Sequence, residues 1–177
     1  MKEEANGPSM MTDELRKGTS LTNMAMSDKI PYNGLNFVIM HCPQDIHANM
    51  TISKLQEHSI HHVFRICEKT YDSTPYEQNG IQIHDDIKFV DGGVPSKEQV
   101  QQWLAYVEQY KNECIAVHCV SGIGRAPVLV ALAFINRGLE PLECIEFVRK
   151  YRRRAFNNVQ INFLSEYLDK KSCCTIL

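Results

Sequence analysis

Cys119 and Arg125 stand six positions apart around Gly122 and Gly124, in the stretch Ala116-Val117-His118-Cys119-Val120-Ser121-Gly122-Ile123-Gly124-Arg125-Ala126-Pro127. A thiolate is a strong nucleophile, and arginine's planar fork meets two oxygens of a phosphate while keeping its charge. The glycines allow a tight bend in which the backbone amides of Val120, Ser121, Gly122, Ile123, Gly124 and Arg125 converge on an anion. A cysteine at a helix start beside a guanidinium ionises readily. His118 is placed to order the cysteine backbone or steady the thiolate. The chemistry this spacing suits is capture of a phosphoryl group on sulfur beneath an oxyanion cradle.

Cys-x5-Arg alone would be weak. Its context makes it specific: Ile115 to Val117 is an apolar run suited to a buried strand, and Val128 to Ile135 suits a buried helix. Phosphoryl transfer from an ester also needs a proton for the leaving oxygen. The polar loop from Asp85 to Pro95 carries three aspartates. Asp91, before Gly92-Gly93, is the preferred acid, with Asp86 as runner-up. Cys67 ends a predicted strand on the Cys119 side of the sheet. From spacing alone it is either a small buried hydrophobe or a thiol able to form a reversible disulfide with the nucleophile.

The elements that must position these groups alternate between strand and helix. Strands are expected over Leu35–Met40, Ile60–Ile66 and Ile81–His84, besides the one before Cys119. Helices are expected over Asn49–His58, after a Ser96/Gln99 capping box, over Leu142–Arg153 and over Asn158–Leu168. Val100, Trp103, Leu104 and Val107 form an apolar stripe, and Gly138 ends the buried helix. The pattern predicts an α/β fold with a central, largely parallel sheet flanked by helices and a ligand site beyond the strands' carboxyl ends.

The 177 residues are 44% hydrophobic and 23% charged, with a net charge of -2. That suits one globular domain and gives no reason to expect nucleic acid as partner. The expected division is a flexible polar tail over 1–30, the enzymatic domain over 31–169 and a short tail over 170–177. Seven cysteines without a framework point to a reducing cytosol. No metal or other cofactor is expected, since His58, His61 and His62 lack ligand companions at useful spacing. The basic run Arg149-Lys150-Tyr151-Arg152-Arg153-Arg154 reads either as a surface for acidic lipid or substrate or as a solvated helix end. Cys174-Thr175-Ile176-Leu177 is a Cys-aliphatic-aliphatic-Leu terminus, which predicts geranylgeranylation of Cys174 and a place on the cytoplasmic face of plasma or endosomal membranes. Unprenylated, the chain is expected to be soluble.

The stretch from Ala116 to Ala133 closely resembles the signature of the phosphatase of regenerating liver family, which consists of prenylated protein tyrosine phosphatases of the dual-specificity type. The resemblance extends to Phe37–Pro43, Arg65–Asp72, Arg152–Asn157 and the terminus. It implies Cys119 as nucleophile, Arg125 as phosphate ligand, Asp91 as general acid and Cys67 as redox partner of Cys119. It also implies phosphotyrosine protein substrates, a homotrimer at the membrane, and association with cyclin M type magnesium-transport mediators that seat an acidic loop in the phosphate pocket. Ala126 stands where most tyrosine phosphatases carry a hydroxyl that helps the thiolate leave, which implies fast capture and slow turnover. Where the family's acid loop reads Trp-Pro-Phe-Asp-Asp, this chain reads Ile87-Lys88-Phe89-Val90-Asp91. A binding module with incidental catalysis is the alternative, and a phosphoinositide phosphatase stands third, because Val120, Ser121 and Ile123 are not basic.

Overall fold

The structure is a computed structural model that describes residues 26–27 and 29–167. Cys174 and the expected helix end at Leu168 lie outside the described residues. The elements are β1 (Ile30–Tyr32), β2 (Leu35–Met40), a 3-10 turn (Asp45–His47), α1 (Ala48–Glu57), β3 (Ile60–Arg65), α2 (Thr74–Gln78), β4 (Gln82–His84), α3 (Lys97–Gln109), β5 (Cys114–His118), α4 (Arg125–Asn136), α5 (Pro141–Tyr151) and α6 (Asn158–Ser165). The strands form one sheet in the order β1-β2-β5-β3-β4. β5 pairs in parallel with β2 and β3, and β3 with β4, while β1 is antiparallel to β2.

Both faces of the sheet are covered, so β5 is buried at every residue and reads as continuous apolar sequence rather than alternation. Phe37, Ile39, Phe64, Ile115 and Val117 face the larger core with α3, α4 and α5. Val38, Met40, Val63 and Ala116 face a smaller core with Ile52 and Leu55 of α1 and Tyr76 of α2. The expected stripe of α3 buries Val100, Trp103 and Val107, and the Trp103 indole donates to the Leu129 carbonyl at 2.6 Å. The Ser96/Gln99 capping box is formed in both directions, and Gly138 follows α4 at φ +97°.

Three features were not legible in advance. The expected helix start at Val128 moves back to Arg125, because proline is tolerated in a first turn, where its missing N–H has no intrahelical partner. β1 is only three residues long and contains Pro31, which an edge strand accepts; Asn33 and Gly34, both at positive φ, close the hairpin to β2. α2 is too short to show periodicity. Among the described residues, no helix is long and apolar enough to cross a membrane.

Candidate active site

β5 delivers Cys119 to the carboxyl edge of the sheet with 1% of its surface exposed, and the chain loops from there into α4. Four successive carbonyls of the loop are taken up from outside it. Val120 O accepts from the Cys42 amide at 3.1 Å and Ile123 O from the Phe156 amide at 2.9 Å. Between them, Arg152 Nη2 donates to Ser121 O at 3.1 Å and Nε to Gly122 O at 2.9 Å. In a trans peptide the next N–H points opposite to its carbonyl. The amides of Ser121, Gly122, Ile123 and Gly124 are therefore turned to the other side, as an anion cradle requires. Gly122 is obligatory on two counts: its φ is +65°, and a Cβ there would lie 2.7 Å from Met40 O and from Arg152 Nη2.

Arg125, at the first position of α4, is 7% exposed. Its Nη1 donates to Ile66 O and Phe89 O, both at 3.3 Å, fixing the guanidinium between the sheet edge and the acid loop. Its Nε lies 3.2 Å from Asp91 Oδ1 as an ion pair, but off the N–H line, so among the described residues this buried nitrogen has no hydrogen-bond partner. A buried guanidinium N–H left without a hydrogen bond suits an incoming oxyanion.

The three loop aspartates have distinct settings. Asp85 accepts from Arg65 Nη2 at 2.7 Å, which holds its carboxyl below the usual range. Asp86 accepts from Tyr106 Oη at 2.7 Å and from Gln102, which fastens it to α3. Among them, only Asp91 reaches Arg125. The loop carrying it is held without the Trp-Pro pair: Ile87 is buried, Gln99 Nε2 donates to Lys88 O, Asn157 Nδ2 to Gly92 O at 2.8 Å and Gln160 Nε2 to Gly93 O at 3.0 Å. Asn157 and Gln160 also form the capping box of α6, so one motif starts a helix and ties down the acid loop.

Cys67, just past β3, is buried near both Cys119 and Arg125. Its sulfur lies within 4.8 Å of Cys42 Sγ. The closeness of Cys42 and then burial push Cys67 up, while the same closeness, outweighing desolvation, holds the more exposed Cys42 well down. His118 is fully buried, with Nδ1 3.3 Å from Cys119 O and Nε2 2.9 Å from Tyr71 Oη.

Sequence reasoning missed Arg152, Asn157, Gln160 and Cys42. Arg152 belonged to a run read as facing acidic lipid or substrate, or as a solvated helix end. Its neighbours Arg153 and Arg154 are exposed, but Arg152 is buried under the loop. Burial lowers its pKa, an effect that Cys119 opposes. A capping-box match at Asn157/Gln160 was available in the sequence, though the contacts with Gly92 and Gly93 were not.

Residues 38–139 match the family described as "Polymorphic toxin system, DSP-PTPase phosphatase". The chain is 41% identical over 146 residues to the probable protein tyrosine phosphatase type IVA A of Dictyostelium discoideum, covering 80% of this chain and 87% of that protein. It is 40% identical over 147 residues to protein tyrosine phosphatase type IVA 3 of Homo sapiens, covering 81% and 84%. The chain belongs to the type IVA, or PRL, family of protein tyrosine phosphatases. In line with that membership, a solved protein tyrosine phosphatase from Leishmania major superposes with a TM-score of 0.68 at 32% identity, covering 75% of this chain and 88% of that one. The fold is that of the cysteine-dependent tyrosine and dual-specificity phosphatases.

Proposed function

We propose that this family member is a membrane-tethered protein tyrosine phosphatase of the dual-specificity type with slow turnover. The Cys119 thiolate attacks phosphorus, an S–P bond forms, and the P–O ester bond breaks as Asp91 gives its proton to the leaving oxygen. Water then attacks the phosphocysteine, Asp91 takes a proton back, and the S–P bond breaks to return thiolate and inorganic phosphate. Arg125 and the loop amides of Val120 to Arg125 carry the charge that develops on the equatorial oxygens. What supports the assignment is the 3.2 Å approach of Asp91 to Arg125, with Asp85 and Asp86 committed elsewhere. Rapid mixing with an aryl phosphate under reducing conditions tests it: a near-stoichiometric burst followed by slow turnover is expected, absent in Cys119→Ser. No burst and no trapped phosphocysteine would overturn it.

The same ion pair favours a second reading, because a carboxylate already sits against the phosphate-binding arginine. An acidic loop from a partner, such as a cyclin M type magnesium-transport mediator, would use that chemistry. Binding lost in Arg125→Ala but retained in Asp91→Ala would separate this role from catalysis. Phosphoinositide hydrolysis stands third, since Val120 and Ile123 put exposed apolar side chains on the loop where further phosphates would need cations. Geranylgeranylation of Cys174, the cytoplasmic membrane face, a homotrimer and a reversible Cys67–Cys119 disulfide complete the proposal; membrane recovery lost in Cys174→Ser tests the first two. The division into a tail over 1–30, an enzymatic domain over 31–169 and a tail over 170–177 is part of the same reading.

A further inference from the structure

Three soft ligands gather beside the phosphate loop without belonging to it. Cys42 Sγ, Cys67 Sγ and a His118 ring nitrogen all lie within 4.8 Å of one another. Sheet topology explains the meeting. β2, β5 and β3 are adjacent and parallel, and Met40, His118 and Arg65 form one row of the register. Cys42 and Cys67 each follow two positions past that row. Side chains alternate along a strand, so all three groups fall on the smaller-core side. Cys119, one residue past His118, packs with the other core.

We propose that Cys42, Cys67 and His118 bind a zinc ion, with water as fourth ligand. Two thiolates and an imidazole form a tetrahedral donor set in which ligand atoms about 2.0–2.3 Å from the metal lie less than about 4 Å apart. His118 is already in the required tautomer. The Cys119 carbonyl can only accept, so the proton sits on Nδ1 and the Nε2 lone pair faces Tyr71 Oη, whose hydrogen bond the ion displaces. Cys42 is partly exposed, which opens a path to the otherwise buried cluster. Any proton that a thiol carries is released as its Zn–S bond forms. A zinc-held Cys67 cannot pair with Cys119; this consequence rests on the disulfide proposed above, whereas the site itself does not.

The test is zinc titration of the reduced, metal-free full chain against a chromophoric chelator, with cobalt(II) as a spectroscopic probe. One tight site is expected, weakened on the order of a hundredfold or more in Cys42→Ser, since even groups that only orient a ligand are worth about 10–100-fold in affinity. Cys119→Ser and the tail variant Cys173→Ser/Cys174→Ser should bind as the wild type. Near-UV circular dichroism reports whether each variant is folded. The thiolate-to-cobalt charge-transfer band should fall by about half in Cys42→Ser, which fixes ligand identity even if Cys67→Ser fails to fold. Equal affinity in wild type and Cys42→Ser, or loss of the site in Cys119→Ser or the tail variant, would overturn the proposal, as would no binding at all. A missing phosphatase burst would leave these readings untouched, so failure of the site and failure of the catalytic reading are distinguishable.

Discussion

Replacing Arg152 isolates the preorganisation of the phosphate loop from its chemistry. The side chain gives one charge-assisted hydrogen bond to Gly122 O at 2.9 Å and one to Ser121 O at 3.1 Å, and is 8% exposed. Hydrogen bonds to a charged group contribute about 1.5–3 kcal/mol each. Two at the lower end give about 3 kcal/mol, or about two decades in rate at 1.36 kcal/mol per decade. Arg152→Ala should therefore lose roughly a hundredfold in kcat/KM on an aryl phosphate, with weaker inhibition by inorganic phosphate, because the loop amides no longer converge. Arg152→Lys keeps the charge near Cys119 but not the fork that reaches both carbonyls, so it should fall between. Steady-state kinetics, phosphate inhibition and thermal melts on the three proteins decide the matter. A folded Arg152→Ala enzyme within about twofold of wild type would refute the argument that these two carbonyls are held by this side chain.

Asp91→Asn should lower kcat/KM by about 10²–10⁴-fold, and least for aryl phosphates with good leaving groups; Asp86→Asn, whose carboxylate is tied to Tyr106 and Gln102, should change it less than about twofold. Ala126→Ser should leave the burst intact and raise the slow phase about tenfold, read by rapid mixing, since the buried Ala126 directly follows Arg125. Stability should also fall with acid. His62 and His84 have pKa values lowered mainly by burial, so the folded state binds fewer protons than the unfolded chain below the usual histidine pKa of about 6.5. Their neutral pairing is thus fully effective above that pH and is lost as the pH drops toward the folded values. Denaturant midpoints between pH 7.5 and about pH 5.5 should show the drop, and His84→Gln should reduce it.

Much of the fold could be read because each element carried its own local signal. The Ser96/Gln99 box, the Val100-Trp103-Val107 stripe and Gly138 are short-range features whose energetics are settled within a few residues. Cys119, Arg125 and their glycines could be singled out for the same reason: the proposed nucleophile and cradle lie in one loop of contiguous residues. β1 and α2 were not, since three- and five-residue elements are stabilised by what they pair with rather than by their own periodicity.

What only the tertiary structure decided is which distant groups meet that loop. Asp85, Asp86 and Asp91 are alike in sequence, and the contrast comes from Arg65, Tyr106 and Arg125, which the sheet and helices bring to them from up to 34 positions away. Arg152 turned inward, unlike the exposed Arg153 and Arg154, because the buried Gly122 carbonyl and the neighbouring Ser121 carbonyl take its donors. Cys42, Cys67 and His118 met because three parallel strands end in register. Sequence thus determined the proposed reactive pair and cradle, since those depend on neighbours along the chain. The proposed acid, the latch behind the loop and the soft-ligand cluster depend on neighbours across the sheet, where spacing in sequence carries no distance information.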